Sequence, residues 1–262
     1  MSSDQAYYNK GFDKLVSDTH AWRTVSNAVS YTIPYLKKSD RLLDVGLGPG
    51  TILKDFANYV NEVVGVEPTQ ELIDIASSQP GLKGKVLFQL ALVLDLPFED
   101  NSFDVVHALQ VIIHLNDPIT ALKEMLRVCK SGGYVLVKDA DSSMTVIYPE
   151  KYSEAVNGIW LNALKDLSTL LTAGRMLKER AINAGYDPQK IKMSGLVWFE
   201  STTEERARWA DMFSKRIKEG KRSEYSSRKE TLQGQIEALQ DWKNDDSGVL
   251  LLVHAELVYK KE

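Results

Sequence analysis

One cysteine in 262 residues leaves Cys129 without a partner in its own chain, so a disulfide framework is excluded and a reducing compartment is the natural setting. Its neighbours, Met125-Leu126-Arg127-Val128, give it an apolar context that reads as packing. Four histidines, His20, His107, His114 and His254, are scattered through the chain with no companion cysteine pair, and their spacing does not read as a metal-ligand set. No apolar run approaches the roughly 20 residues that a membrane-spanning helix requires. The opening Met-Ser-Ser-Asp-Gln-Ala-Tyr-Tyr shows no basic-then-apolar leader, and the expected location is the cytoplasm. Positive charge is not in excess either: 32 lysines and arginines stand against 36 acids, a net charge of −4, which argues against nucleic acid as the main partner. The one basic cluster, Lys215 to Arg222, reads as a solvated helix face. Repeats, low-complexity segments and linkers are also missing. The chain therefore reads as a single domain over 1–262, with a helical lid over 1–38 and a helical cap inserted at 150–172.

What is present is a glycine turn. Leu42-Leu43-Asp44-Val45 reads as a buried strand, Gly46, Gly48 and Gly50 turn the backbone, and a helix begins near Thr51. Glycine lacks a Cβ, so such a loop adopts positive φ and lets a ligand lie against bare main chain. A dinucleotide site expects Gly-x-Gly-x-x-Gly, but counting from Gly46 gives Gly48 and then Thr51, which makes a nicotinamide or flavin dinucleotide the second choice. The pattern is Asp-x-Gly-x-Gly-x-Gly, with a carboxylate two residues before the first glycine that suits an ammonium better than a pyrophosphate.

Further along, Glu62 to Val66 reads as a second strand, and Glu67 follows Asp44 by 23 residues, near the spacing of about 20 at which a strand-end acid accepts bonds from a ribose hydroxyl pair. Thr69 is placed to cap the next helix, expected to run to Gln79. Val86 to Leu90 and Phe103 to Ala108 read as the third and fourth strands. Asp117-Pro118 opens a helix with an N-cap acid and a proline at its first position. Lys130-Ser131-Gly132-Gly133 is expected to end that helix before a fifth strand over Tyr134 to Lys138. Strictly alternating strands and helices predict an α/β fold, a doubly wound and mostly parallel sheet of seven strands with a helical cap. Beyond it, Gly174 to Ala184 reads as a helix, Thr202-Thr203-Glu204-Glu205 as a capping box, and the end as an antiparallel pair, Ile191 to Phe199 with Gly248 to Tyr259.

These pieces resemble the small-molecule class I S-adenosylmethionine-dependent methyltransferases, nearest the ubiquinone-type enzymes and related fungal and bacterial ones. Asp44-Val-Gly-Leu-Gly-Pro-Gly50 matches the first motif and Gly65-Val-Glu-Pro68 the ribose motif. Asp95-Leu-Pro-Phe98, Ser102-Phe-Asp-Val-Val106 and Leu126-Arg-Val-Cys-Lys-Ser-Gly-Gly133 match the later strands and the turn before the fifth. The resemblance implies S-adenosylmethionine as cofactor, no metal, methyl transfer to a small-molecule acceptor, and a cofactor site of Asp44, Gly46, Leu47, Gly48, Gly50, Glu67, Pro68, Leu92, Val93, Leu109 and Gln110. A general base serves only a hydroxyl or protonated amine acceptor. His107, His114, Asp139, Asp141 and Tyr148 are the candidates, and His114 is the first choice because it follows the fourth strand on the ligand side. His20, Trp22 and Arg23 are candidate acceptor contacts, with packing the more economical reading.

The departures cluster. Leu47 stands where the family usually has Cys or Ser, Ala91-Leu92 where it has Gly-Asp with the acid receiving the adenine amino group, Leu109 where a polar residue is common, and Ile147 where an aromatic one is. Each replaces a polar or aromatic side chain by an aliphatic one. They leave open a second reading, a methyltransferase fold with a remodelled apolar pocket that binds a hydrophobic ligand or does other chemistry.

Overall fold

A computed structural model of the protein describes residues 20–82, 86–158, 170–219 and 229–262, with side chains described outside 216–231. The helical readings over Tyr8, Phe12 and Leu15, and over Ile159, Trp160, Ala163, Leu164 and Leu167, lie outside these residues, and of the basic cluster at Lys215 to Arg222 only the Lys215 side chain is described. The chain divides into two compact units: residues to 139 with 173–195 and 255–262, and residues 140–172 with 196–254.

In the first unit, β1 (Arg41–Val45), β2 (Glu62–Glu67), β3 (Val86–Leu90), β4 (Phe103–Leu109) and β5 (Cys129–Ala140) lie in the order β3-β2-β1-β4-β5, followed by the closing half of β8 (Val249–Lys260). The first five run parallel. Leu42, Leu43, Val63, Val64, Val105, Val106, Val135 and Val137 are all buried, as expected for strands covered on both faces. The strand order reverses at β1, because β2 and β3 build outward on one side and β4 starts again on the other. A crevice at the carboxyl ends of β1 and β4 follows from that reversal.

Short helices precede and connect the strands: α1 (Val25–Ala28) before β1, then α2 (Thr51–Phe56), α3 (Gln70–Ser77), α4 (Pro118–Val128) and α5 (Ala173–Asn183). Asp117 caps α4 by accepting from the Thr120 N–H at 3.0 Å, with Pro118 in the first turn. Thr69 occupies the N-cap of α3 but its hydroxyl makes no capping bond, and the helix ends at Ser77 before reaching Gln79. The sequence reading also placed β5 too late. Residues 130–133 belong to the strand, which starts at Cys129 with a register shift opposite Phe103 to Val105, so the two glycines lie within a strand irregularity.

Arg127 explains why the Leu-Pro-Phe stretch and the end of α4 occur together. Its guanidinium donates to the carbonyls of Leu96 at 2.9 Å and Phe98 at 2.8 Å, while Glu124, paired with it at 2.7 Å, accepts from the Leu96 N–H. The loop after β3 is thereby anchored to α4.

The second unit holds β6 (Val146–Tyr148), α6 (Thr203–Glu219), α7 (Lys229–Asn244), the later part of β7 (Lys192–Glu200) and the first half of β8. β6 runs antiparallel to β8, which also pairs with β7. The strand β6 is the addition that brings the count among the described residues to eight where seven were expected; at three residues it is too short to show a period. Thr202 and Glu205 form the expected capping box, each side chain accepting from the other's backbone N–H. Trp242 anchors α7, its indole donating to the Tyr148 carbonyl at 3.1 Å.

Candidate active site

The turn after β1 is set by backbone sterics. Gly46, Gly48 and Gly50 have φ of 70°, 54° and 80°, a region that L side chains rarely adopt. Gly50 is the N-cap of α2, and a Cβ there would meet Ala76 at 2.8 Å. A Cβ on Gly46 would meet the Cγ2 of Val111 at 2.5 Å, so Gly46 is pressed against a wall. On Gly48 it would meet nothing within 4 Å among the described residues. The bare main chain expected of this turn is therefore offered at Gly48.

That face opens on a cleft whose lining lies wholly in the first unit. Of the residues singled out from sequence, Asp44, Gly46, Leu47, Gly48, Glu67, Leu109, Gln110 and His114 line it. Pro68, Leu92 and Val93 do not; with Gly46 they line a second, almost wholly apolar hollow that also includes Ala91, Leu94 and Val111. Gly50 lines neither. Ile147 lies in the second unit, as do Asp141 and Tyr148, and none of the three lines the cleft.

Two carboxylates dominate the cleft. Glu67 is 2% exposed at the end of β2; its Oε2 accepts from the Gly48 N–H at 3.3 Å and its Oε1, equally buried, has no hydrogen-bond partner among the described residues. Burial pushes this carboxyl up to about 7, against the pull of the Gly48 N–H and Thr69. Asp44, 4% exposed, accepts at Oδ1 from His107 Nδ1 at 2.6 Å. His107 is fully buried behind it and is no surface base.

The fourth strand's end is held by long-range contacts. Gln110 has φ of 53°, its backbone N–H donates to the Lys138 carbonyl at 2.7 Å, and its side-chain oxygen accepts from Arg23 at 2.6 Å. A non-glycine residue at positive φ at a strand end is stored strain of the kind found at functional sites. Arg23 and His20 both line the cleft, where the sequence favoured packing for them. Nothing in the local pattern ties Arg23 to a residue 87 positions away. Val111, which walls both hollows, was not singled out, because a lone valine after a strand carries no periodic signal. Asp139, buried at the end of β5, accepts from the Ile113 N–H at 3.3 Å and so steadies the turn that presents His114. Burial pushes its carboxyl up to about 8, with Arg180 opposing.

Comparison with known proteins agrees with this geometry. Residues 43–137, from β1 through β5, match a family model described as a methyltransferase domain. An uncharacterized methyltransferase of Schizosaccharomyces pombe is 38% identical, over 99% of this chain and 98% of its own. The ubiquinone/menaquinone biosynthesis C-methyltransferase of Bdellovibrio bacteriovorus is 35% identical over 52% of this chain and 58% of its own. Among solved structures, a Haemonchus contortus phosphoethanolamine N-methyltransferase in complex with phosphomonomethylethanolamine and S-adenosylhomocysteine superposes with a TM-score of 0.61 at 16% identity, over 100% of this chain and 61% of that one; this likeness is one of fold. With a relative so similar along nearly its whole length, the chain belongs to the class I S-adenosylmethionine-dependent methyltransferase family.

Proposed function

We propose that the cleft beside Gly46 to Gly50 takes S-adenosylmethionine and that the protein, a cytoplasmic enzyme, methylates a small-molecule acceptor. The observation that carries this is Glu67: a buried carboxylate at a strand end whose Oε1 has no hydrogen-bond partner among the described residues and so can accept from a ligand. A ribose hydroxyl pair supplies two. Asp44, lining the same cleft, would accept from the ammonium of the amino-acid end, and the open face at Gly48 lets a ligand approach the main chain. Pro68, Leu92 and Val93 offer an apolar wall suited to a purine face. Leu109 and Gln110 would lie toward the methionine end.

When bound, S-adenosylmethionine supplies an electrophilic methyl group on its sulfonium. The chain's own contribution is to align the acceptor and shut out water. His114 lines the cleft from the turn after β4, where it can orient an acceptor hydroxyl and take its proton. His20 and Arg23 add polar contacts on the same side. The relatives favour methyl transfer over the apolar-ligand alternative.

Glu67→Ala should weaken S-adenosylhomocysteine binding by about ten- to a hundredfold, the equivalent of roughly 1.5–3 kcal/mol for bonds to a charged group. Isothermal calorimetry decides it: parent-like affinity in the variant would remove Glu67 from the site. The unliganded protein gives a second readout. The Glu67 carboxyl is raised from 4.5 to about 7, so the folded state holds a proton that the unfolded chain releases. That contribution to stability, roughly 3 kcal/mol, is complete below 4.5 and is lost as pH rises through 7. Glu67→Gln should therefore flatten part of the fall in melting temperature between those values.

The second hollow fits the cofactor less well. Its walls give no side-chain acceptor for an exocyclic amino group, since Leu92 stands where the family places an acid. Affinity for S-adenosylmethionine should accordingly be modest, and Leu92→Asp should raise it several-fold. Unchanged or lower affinity in a folded Leu92→Asp variant would show that Leu92 is wall packing alone.

A further inference from the structure

Asp44 and His107 are cross-strand neighbours, paired in register between β1 and β4. Their side chains meet at 2.6 Å with 0% of the imidazole and 6% of the carboxylate exposed. A carboxylate only accepts, so Nδ1 is the donor. The ring is fixed from the side by Phe56, whose centroid lies 5.0 Å away at 70°, and Nε2 has no hydrogen-bond partner among the described residues, so one nitrogen alone is engaged there. Asp44 lines the cleft and His107 does not. The arrangement is thus a layered one: ligand face, carboxylate, imidazole, aromatic edge.

Asp44 needs such support. It shares the cleft with the Glu67 carboxylate, which repels it. The bond from His107 to Oδ1 gives the carboxylate a fixed point against rotation about its Cβ–Cγ bond, and losing that donor removes it.

We infer that His107 is a positioning residue, which by donating to Oδ1 of Asp44 holds the carboxylate in the orientation that receives an ammonium group in the cleft. This rests on the proposed cofactor site. It assigns a task to a side chain that never touches the ligand, and it confines that task to one end of the ligand.

The test compares two ligands by calorimetry: S-adenosylhomocysteine, which carries the ammonium, and methylthioadenosine, which lacks the amino-acid end. His107→Leu should weaken the first at least tenfold and leave the second within about twofold. His107→Asn places an amide N–H near the position of Nδ1 and should restore most of the loss. Should the leucine variant not fold, His107→Gln, whose amide falls nearer Nε2, carries the same expectation. Equal loss of both ligands, or no loss of either, overturns the inference. Failure of the parent protein to bind either ligand is a different result and removes the cofactor site itself, and the inference with it.

Discussion

Gly46→Val should leave a protein with no measurable affinity for S-adenosylhomocysteine, at least a hundredfold loss, and a lowered melting temperature. Three effects act together. The residue has φ of 70°, where a left-handed conformation costs an L residue about 1–2 kcal/mol, and more for a β-branched one. Its Cβ alone would sit 2.5 Å from Val111 Cγ2, and forcing extra carbons into a packed wall costs about 1–3 kcal/mol. The residue cannot easily swing away, because its N–H donates to the Val66 carbonyl at 2.9 Å and ties the turn to β2. The strain therefore passes to Val111, which walls both the cleft and the apolar hollow, and both change shape. Circular dichroism shows whether the variant folds and calorimetry whether it binds. A folded variant with parent-like affinity would take the glycine turn out of the site.

Lys138→Met should lower stability to unfolding by about 3–5 kcal/mol in urea titrations, the range for removing one partner of a buried ion pair. Lys138 is wholly buried; its ammonium donates to the Ala28 carbonyl at 2.6 Å, at the end of α1, and lies 3.3 Å from Glu256 on β8. Removing it leaves the Glu256 carboxylate buried without its cation, with the Ser194 hydroxyl at 2.8 Å as a remaining donor. Lys138→Met combined with Glu256→Met should recover most of the loss, because the expense lies in the unpaired charge. Burial lowers the Lys138 ammonium from 10.5 to about 8, against the attraction of Glu256. Between those values the unfolded chain holds more protons than the folded one, so this group's contribution to stability rises with pH from about 8 to 10.5. The single variant should lack that rise. A loss under 1 kcal/mol, or a double variant as unstable as the single, would mean that the pair contributes little.

Sequence by itself determined the parallel sheet, the glycine turn and the acid at the end of β2, because each is written in short range. Short apolar runs announce a covered strand, glycines announce positive φ, and Glu67 stands at a fixed distance from Asp44 along a strand-helix-strand unit. The Asp117-Pro118 start and the Thr202 capping box are likewise complete within four residues. Other features were decided only by tertiary structure. Whether Gly46 or Gly48 bares its main chain depends on Val111, which arrives from the turn after β4. That His107 stands behind Asp44, and that Arg23 holds Gln110, depends on pairings 63 and 87 residues apart. The aliphatic run at Ala91 to Leu94 could face core or cavity on its pattern alone, and the fold sends it to line a hollow beside the glycine turn. Local rules fix where the backbone turns. Which side chains then meet is settled by strand order, since β1 and β4 become neighbours only once the sheet has reversed at β1.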